Sequence, residues 1–183
     1  MKKKNLIAKD WINTAPENEI ANVIWRFGEE SSSRKIAKEI VKKRKKKLIE
    51  TTEELAEIIT DVKKNTAYKN KKHPATKTFQ GIRIFINNEL EELKLFLDNS
   101  LELLNPKGRL CIISFHSLED RIVKRFFRDN SRIDPNLAKL PNMQDTSMLK
   151  VIAKKIKPTE SEIIHNPRAR SAVLRVAERT SLL

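Results

Sequence analysis

Cysteine, glycine and aromatic residues are all scarce in this 183-residue chain. The single cysteine, Cys111, excludes an internal disulfide framework and any cysteine-based zinc site, and it suits a reducing compartment. The three glycines, Gly28, Gly81 and Gly108, stand far apart. No glycine-rich turn is therefore available to bring backbone close to a phosphate or a nucleoside. Aromatic residues make up 5% of the chain, and no amphipathic segment carries a Trp/Phe-rich face, which argues against a role at a membrane surface. No apolar run approaches the length that spans a bilayer. The opening MKKKNLIAKDW is basic but is not followed by a long apolar stretch, so it does not read as a secretory signal. The three histidines show no ligand spacing with carboxylates, and no metal is expected. The expectation is a cytoplasmic protein with no membrane partner.

What the chain has in excess is positive charge. Lys and Arg number 38 against 24 Asp and Glu, giving a net charge of +14 and a pI of about 9.9. Such a balance favours a polyanionic partner, nucleic acid above all. The segment RKIAKEIVKKRKKK, residues 34 to 47, holds nine basic residues and one acid. Within it, Lys42, Lys43, Arg44, Lys45 and Lys46 are candidate phosphate contacts. Lys64, Lys69, Lys71 and Lys72 extend the basic character. A solvated helix face in a lysine-rich chain explains the same run, and the residues alone leave both readings open.

Hydrophobic spacing divides the chain in two. Before residue 108 it is helical throughout. Thr14-Ala15-Pro16-Glu17 fits a capping box ahead of Ile20, Val23, Ile24 and Phe27, with Gly28 closing the run. A second helix is expected over about residues 31–46. Thr51 and Glu54 form a further box before Leu55, Ile58, Ile59 and Val62. Helical spacing resumes near Pro74, and Leu90, Leu93, Leu97, Leu101 and Leu104 mark a long amphipathic helix, which is expected to link the halves. Trp11 and Trp25 are available to stack on bases, although Trp25 flanks an apolar stripe and reads as packing.

After the turn Asn105-Pro106-Lys107-Gly108 the pattern changes. Arg109 to Phe115 is nearly continuous apolar, as expected of a strand covered on both faces in a parallel sheet. Ser117, with Asp120 three residues on, is positioned to cap a helix. Residues 129–147 read as a loop. Segments around Leu149–Lys154 and Ala172–Val176 alternate like strands, paired and antiparallel. His116 and Ser117 thus stand at a strand–helix joint, where ligands gather in open α/β sheets. Neighbouring side chains at such a joint point apart and make a poor nucleophile–base pair. On residue chemistry alone, capping and packing explain them better than a site does.

SFHSLEDRIVKRFF (Ser114 to Phe127), HPATKTFQGIRIFINNELEEL (His73 to Leu93), NPRARSAVLRVAER (Asn166 to Arg179) and WINTAPENEIANVIWRFGEESSSRKIAKEIV (Trp11 to Val41) together resemble the bacterial ribosomal RNA small subunit methyltransferase H (MraW-like) family, in that family's order. The resemblance implies an α/β fold: the C-terminal part of a Rossmann-like methyltransferase domain plus a helical substrate-binding domain. Residues 1–87 would be the helical rRNA-binding insert and 88–183 the catalytic portion. It implies S-adenosylmethionine as methyl donor, the N4 amine of a cytidine in the decoding region of 16S rRNA as acceptor, and the small ribosomal subunit as partner. His73, Thr76, Lys77 and Arg83 then join the candidate substrate contacts, and His116 and Ser117 remain weak catalytic candidates.

The family's donor-binding segments match nothing here, so no cofactor-binding residue carries over. The chain is expected to be an N-terminally truncated member that is inactive alone, binds no S-adenosylmethionine, and self-associates through the edge of an incomplete sheet. A non-catalytic remnant or a basic RNA-binding module is the alternative. Three positions depart from the family pattern. Lys77 replaces an arginine, Gly81 sits inside a helix at a cost of roughly 1 kcal/mol, and Pro106-Lys107-Gly108-Arg109 is one glycine short of the usual turn.

Overall fold

The computed structural model describes residues 6–67, 73–132 and 147–180. Lys69, Lys71, Lys72 and most of the 129–147 segment lie outside the described residues. The chain divides into two compact units, Met1–Glu89 and Leu90–Leu183.

The first unit is helical, with no strand among its described residues. It comprises α1 (Ala8–Thr14), α2 (Glu17–Gly28), α3 (Ser33–Arg44), α4 (Thr52–Ala67), α5 (Thr76–Ile86) and the first residue of α6 (Glu89–Leu103). Its core is built from the periodic apolar positions: Ile20, Ile24, Ile36, Ile40 and Ile59 are fully buried. Each such side chain contributes roughly 1.5–3 kcal/mol on leaving water. Thr51 and Glu54 form the expected reciprocal box, Glu54 N–H donating to Thr51 Oγ1 at 3.2 Å and Thr51 N–H to Glu54 Oε2 at 3.3 Å. Thr14 does not cap α2. It lies in the last turn of α1, where its hydroxyl donates back to Asp10 O at 2.7 Å, and Pro16 takes the N-cap place without a side-chain bond. α5 and α6 are separated at Asn87–Asn88, with Asn88 at φ 54°.

Two glycines set how closely α2 and α5 approach. A Cβ on Gly28 would lie 2.4 Å from Lys77 O, and one on Gly81 would lie 2.8 Å from Gly28 N. Gly28 therefore serves packing, and the left-handed residue that ends α2 is Glu29, at φ 49°. Close packing also accounts for a glycine inside α5, against its helix propensity. A buried ion pair joins the helices: Lys63 Nζ lies 2.7 Å from Glu30 Oε2 and also donates to Pro74 O at 3.0 Å. Glu30 Oε1 accepts from Ser32 N–H at 3.0 Å.

The second unit contains the remainder of α6, β1 (Arg109–Ser114), α7 (Ser117–Asn130), β2 (Leu149–Ile156), α8 (Glu160–His165), a 3-10 turn (Pro167–Ser171) and β3 (Val173–Arg179). The strands form one sheet in the order β1-β3-β2, with both ladders antiparallel. The antiparallel pairing of the last two strands is as expected, and the parallel, doubly covered β1 is not found. Leu110 and Ser114 are buried, while Arg109, Cys111, Ile113 and Phe115 are exposed. β1 is an edge strand that is apolar on both faces, with one face covered among the described residues. Leu110, Leu149 and Ala177 of the sheet pack with Leu97 and Leu101 of α6 and Val123 and Phe127 of α7. Arg175 of β3 holds α7 through a forked contact with Asp120, at 2.7 and 2.9 Å, and donates to Lys154 O of β2. The Arg175 guanidinium keeps the Asp120 carboxyl below its ordinary value. In the turn before β1, Lys107 occupies the left-handed region at φ 64°, where the family pattern has a glycine. That conformation costs an L-residue roughly 1–2 kcal/mol. No helix among the described residues is long and apolar enough to cross a membrane.

Helix propensity alone makes Gly81→Ala stabilising by about 1 kcal/mol, whereas the clearance at Gly28 reverses the sign. Gly81→Ala and Gly28→Ala are expected to destabilise by about 1–3 kcal/mol or more, read as a lowered urea midpoint. A raised midpoint for either would show that the helices do not cross at these residues.

Candidate functional site

The basic run lies on α3 and the turn beyond it. One face of α3 is apolar: Ile36, Ala37 and Ile40 are buried. At 3.6 residues per turn, Arg34, Lys35, Lys38 and Lys42 fall within an arc of about 100° on the other side; these four, and Lys45 and Lys46 in the turn beyond the helix, are exposed. Glu39 pairs with Lys42 at 3.3 Å in an exposed contact of little energetic weight. Lys43 is exposed on the flank of this arc. Arg44 points the opposite way. Its guanidinium donates to Ile12 O at 2.6 Å and Ala15 O at 2.7 Å, fastening α3 to the end of α1. Of the five candidates in the run, four face solvent and one is a structural clamp.

His73, Thr76 and Lys77 come together at the start of α5, held by local bonds. Ala75 N–H donates to His73 Nδ1 at 3.2 Å, and Thr76 Oγ1 donates to His73 O at 2.8 Å. Lys77 Nζ donates to Glu29 O at 2.9 Å, where α2 ends. One donor suffices for that carbonyl, which explains why lysine serves here without arginine's fork. Arg83 lies further along α5 and makes a forked, largely exposed contact with Glu89, at 2.8 and 3.0 Å. No described hydrogen bond or ion pair joins these residues to the α3 run. Lys64 is exposed and pairs with Asp61 at 2.9 Å.

The two tryptophans have opposite environments. Trp11 is 4% exposed, its ring centroid is 5.1 Å from that of Phe85, and its Nε1 donates to Glu19 Oε1 at 2.6 Å. Trp25, expected to pack, is 59% exposed. Helical geometry carried the signal, since Trp25 lies about 140° around α2 from Ile20.

In the second unit, His116 caps α7 in place of Ser117. Its extended backbone (φ -142°, ψ 164°) lets Nδ1 accept from Glu119 N–H at 3.4 Å, while Glu119 Oε2 accepts from the N–H groups of Phe115 and His116, at 2.9 and 3.3 Å. The box is thus His116–Glu119, one residue ahead of the expected Ser117–Asp120, because Asp120 is committed to Arg175. His116 Nε2 is 3.1 Å from Glu119 Oε1 but lies off-line for a hydrogen bond, so that contact is electrostatic. Burial alone would raise the Glu119 carboxyl, but the His116 ring and the two backbone donors hold it below its ordinary value. Nδ1 is turned to the helix and not to Ser117, the first residue of α7, so the pair has no nucleophile–base geometry. Two polar atoms at the joint, Ser114 Oγ and His116 Nε2, are buried without a hydrogen-bond partner among the described residues. The joint therefore retains unused hydrogen-bonding capacity.

The family described as the MraW methylase family matches residues 1–180. The chain is 47% identical over 180 residues to a protein of Xylella fastidiosa named ribosomal RNA small subunit methyltransferase H, covering 96% of this chain and 58% of that protein. A Nitrosococcus oceani protein of the same name is 50% identical over 175 residues, covering 94% and 55% respectively. A Coxiella burnetii protein, again of that name, is 49% identical over 181 residues, covering 98% and 58%. The chain thus spans somewhat over half the length of the curated relatives it matches.

His116→Ala is expected to cost about 1 kcal/mol as a lost helix cap, and His116→Asn to retain most of it, both measured by urea unfolding. The depressed Glu119 carboxyl gives the stability sign. Its contribution is full above the unfolded value, so Glu119→Gln is most costly at neutral pH, and the difference closes as pH falls through the folded value. A difference that does not change with pH would contradict this capping role.

Proposed function

The chain belongs to the MraW methylase family, and from that premise we propose that it serves the methylation of small-subunit rRNA in the cytoplasm. Its helical unit binds the RNA, and its second unit supplies the C-terminal portion of a Rossmann-like catalytic domain. The reaction implied is transfer of a methyl group from S-adenosylmethionine to the N4 amine of a cytidine in the decoding region. The observation that carries the RNA reading is the sorting of charge on α3: Lys42 shares one exposed arc with Arg34, Lys35 and Lys38, Lys45 and Lys46 are exposed in the turn that follows, and Arg44 is turned inward as a clamp. A second polyanion-compatible surface is a groove of about 680 Å³ lined by Lys124, Arg132, Lys150 and Lys154, with no acid among the described residues that line it. Cationic arrays of this kind contact phosphates and position RNA without reading its sequence.

The donor does not fit the residues present. Gly28 and Gly81 are used in helix packing, and Gly108 turns against Asn105 O, 2.8 Å from where its Cβ would lie. None cradles a nucleoside. We therefore assign the 183 residues no donor site of their own, and by themselves they act as an RNA-binding, non-catalytic piece. His116 and Ser117 are read as shaping an acceptor site at the strand–helix joint, and not as a nucleophilic pair. The open edge of β1 and the exposed Ile113 and Phe115 favour self-association or pairing with a further strand.

Binding of a labelled fragment of small-subunit rRNA, followed by anisotropy, is expected to weaken steeply with salt. Replacing Lys42, Lys43, Lys45 and Lys46 by alanine is expected to flatten the log–log slope by roughly one for each phosphate no longer neutralised. Arg44→Ala is expected to lower stability first. An unchanged slope in the quadruple variant would remove the α3 face from the site. Calorimetry on the purified chain is expected to show no S-adenosylmethionine binding, and micromolar affinity would overturn the donor assignment.

A further inference from the structure

The cationic arc of α3 leads, at its N-terminal end, to a feature that phosphate binding does not use. Trp25 of α2 lines a groove of about 430 Å³ together with Asn22, Ser31, Ser32, Arg34 and Lys35. No acid among the described residues lines this groove, and Glu17 borders Arg34 and Asn22 in the adjoining one. The indole is 59% exposed although the neighbouring Val23 and Ile24 are buried, so it is withheld from the core. Arg34 and Lys35 form no ion pair with a described carboxylate and also begin the arc that runs through Lys38 to Lys42. From Arg34 to Lys42 an α-helical rise covers roughly 12 Å.

We propose that Trp25 is a nucleobase-stacking platform, and that this groove takes one unpaired nucleotide of a single-stranded RNA segment whose phosphates follow the cationic face of α3. The inference rests on the RNA-binding reading above and deepens it. An indole face accepts any base, because every base presents a π-face. Arg34 and Lys35 are placed to neutralise the flanking phosphates, and the Asn22 amide and the Ser31 and Ser32 side chains offer hydrogen bonds to sugar or base. A duplex hides its base faces in its own stack, so the groove favours single strands over duplexes where the lysine face alone would not. Charge complementarity favours this occupant: Arg34 and Lys35 beside the indole suit a strand that carries a phosphate at every nucleotide.

The two tryptophans make the test direct, because Trp11 is buried with its Nε1 already bonded. The full chain is titrated with a short single-stranded oligouridine, with a duplex RNA of equal length, and with heparin as a polyanion without bases, while tryptophan emission and binding are recorded together. The single strand is expected to quench emission as it binds, whereas heparin binds without quenching and the duplex binds with little. Trp25→Leu is expected to abolish the quench and weaken single-strand binding roughly ten-fold, the loss one stacked base supplies, with heparin affinity unchanged. Trp25→Phe, which keeps a ring, is expected to recover part of that affinity. Normal RNA binding without a quench, and with Trp25→Leu unaffected, would overturn the stacking site and leave the phosphate reading standing. No binding of any RNA would overturn both. Equal quenching by heparin would show that Trp25 responds to charge or conformation and not to a base.

Discussion

The helical unit depends on one buried ion pair. Lys63 of α4 meets Glu30 in the turn between α2 and α3, and neither side chain is more than 10% exposed. The desolvation of two charges is offset because both ions find further partners: Glu30 takes the Ser32 N–H, and Lys63 takes the Pro74 carbonyl just ahead of α5. Burial alone would raise the Glu30 carboxyl, but the Lys63 ammonium and the Ser32 N–H bring it below its ordinary value. A buried pair of this kind adds little stability over an apolar replacement, but loss of one partner costs about 3–5 kcal/mol. Its role is geometric. It ties the turn that forms the Trp25 groove, the start of α3 and the approach to His73 and Thr76 to a single helix, α4.

Much of this was legible from periodicity. Helices α2 to α5, the Thr51–Glu54 box and the antiparallel pairing of the last two strands follow from local spacing, because each element buries the face its own sequence marks, whereas α1 (Ala8–Thr14) is not marked by that spacing. The misread features depend on a partner distant in sequence. Gly28 reads locally as a helix stop, and its reason is the backbone of Lys77, 49 positions on. Asp120 reads as half of a cap, and its partner is Arg175. Arg44 looks like its lysine neighbours until Ile12 and Ala15 present their carbonyls. β1 reads as doubly buried because an apolar run records the faces a strand is suited to bury, not the covers present among the described residues.

The candidate site divides along the same line. That the lysines of α3 face outward was readable, since the helical arc opposite Ile36 and Ile40 must be solvated. That Trp25 joins them was readable in principle from its angle around α2, and was obscured by the general preference of tryptophan for interiors. The His116–Glu119 box was not readable, because histidine is an uncommon N-cap and a serine follows it directly. The family resemblance carried the expectation of an rRNA substrate and of methyl transfer, while the residues show where charge, an exposed indole and unused hydrogen bonds lie.

The crossing of α2 and α5 has an evolutionary corollary. Most tight contacts can be relaxed by a second substitution, a larger residue on one side being accommodated by a smaller one on the other. Here each helix already contributes the smallest residue there is, and what a new side chain would strike is backbone: Lys77 O on one side, Gly28 N on the other. No exchange at either position can make room for a change at its counterpart. Drift at this crossing can proceed only by shifting a whole helix, and α5 carries Lys77, whose ammonium closes the end of α2. The crossing is therefore closed to compensation by side-chain size in this chain, and a Cβ at either position is accommodated only as the two helix backbones move apart.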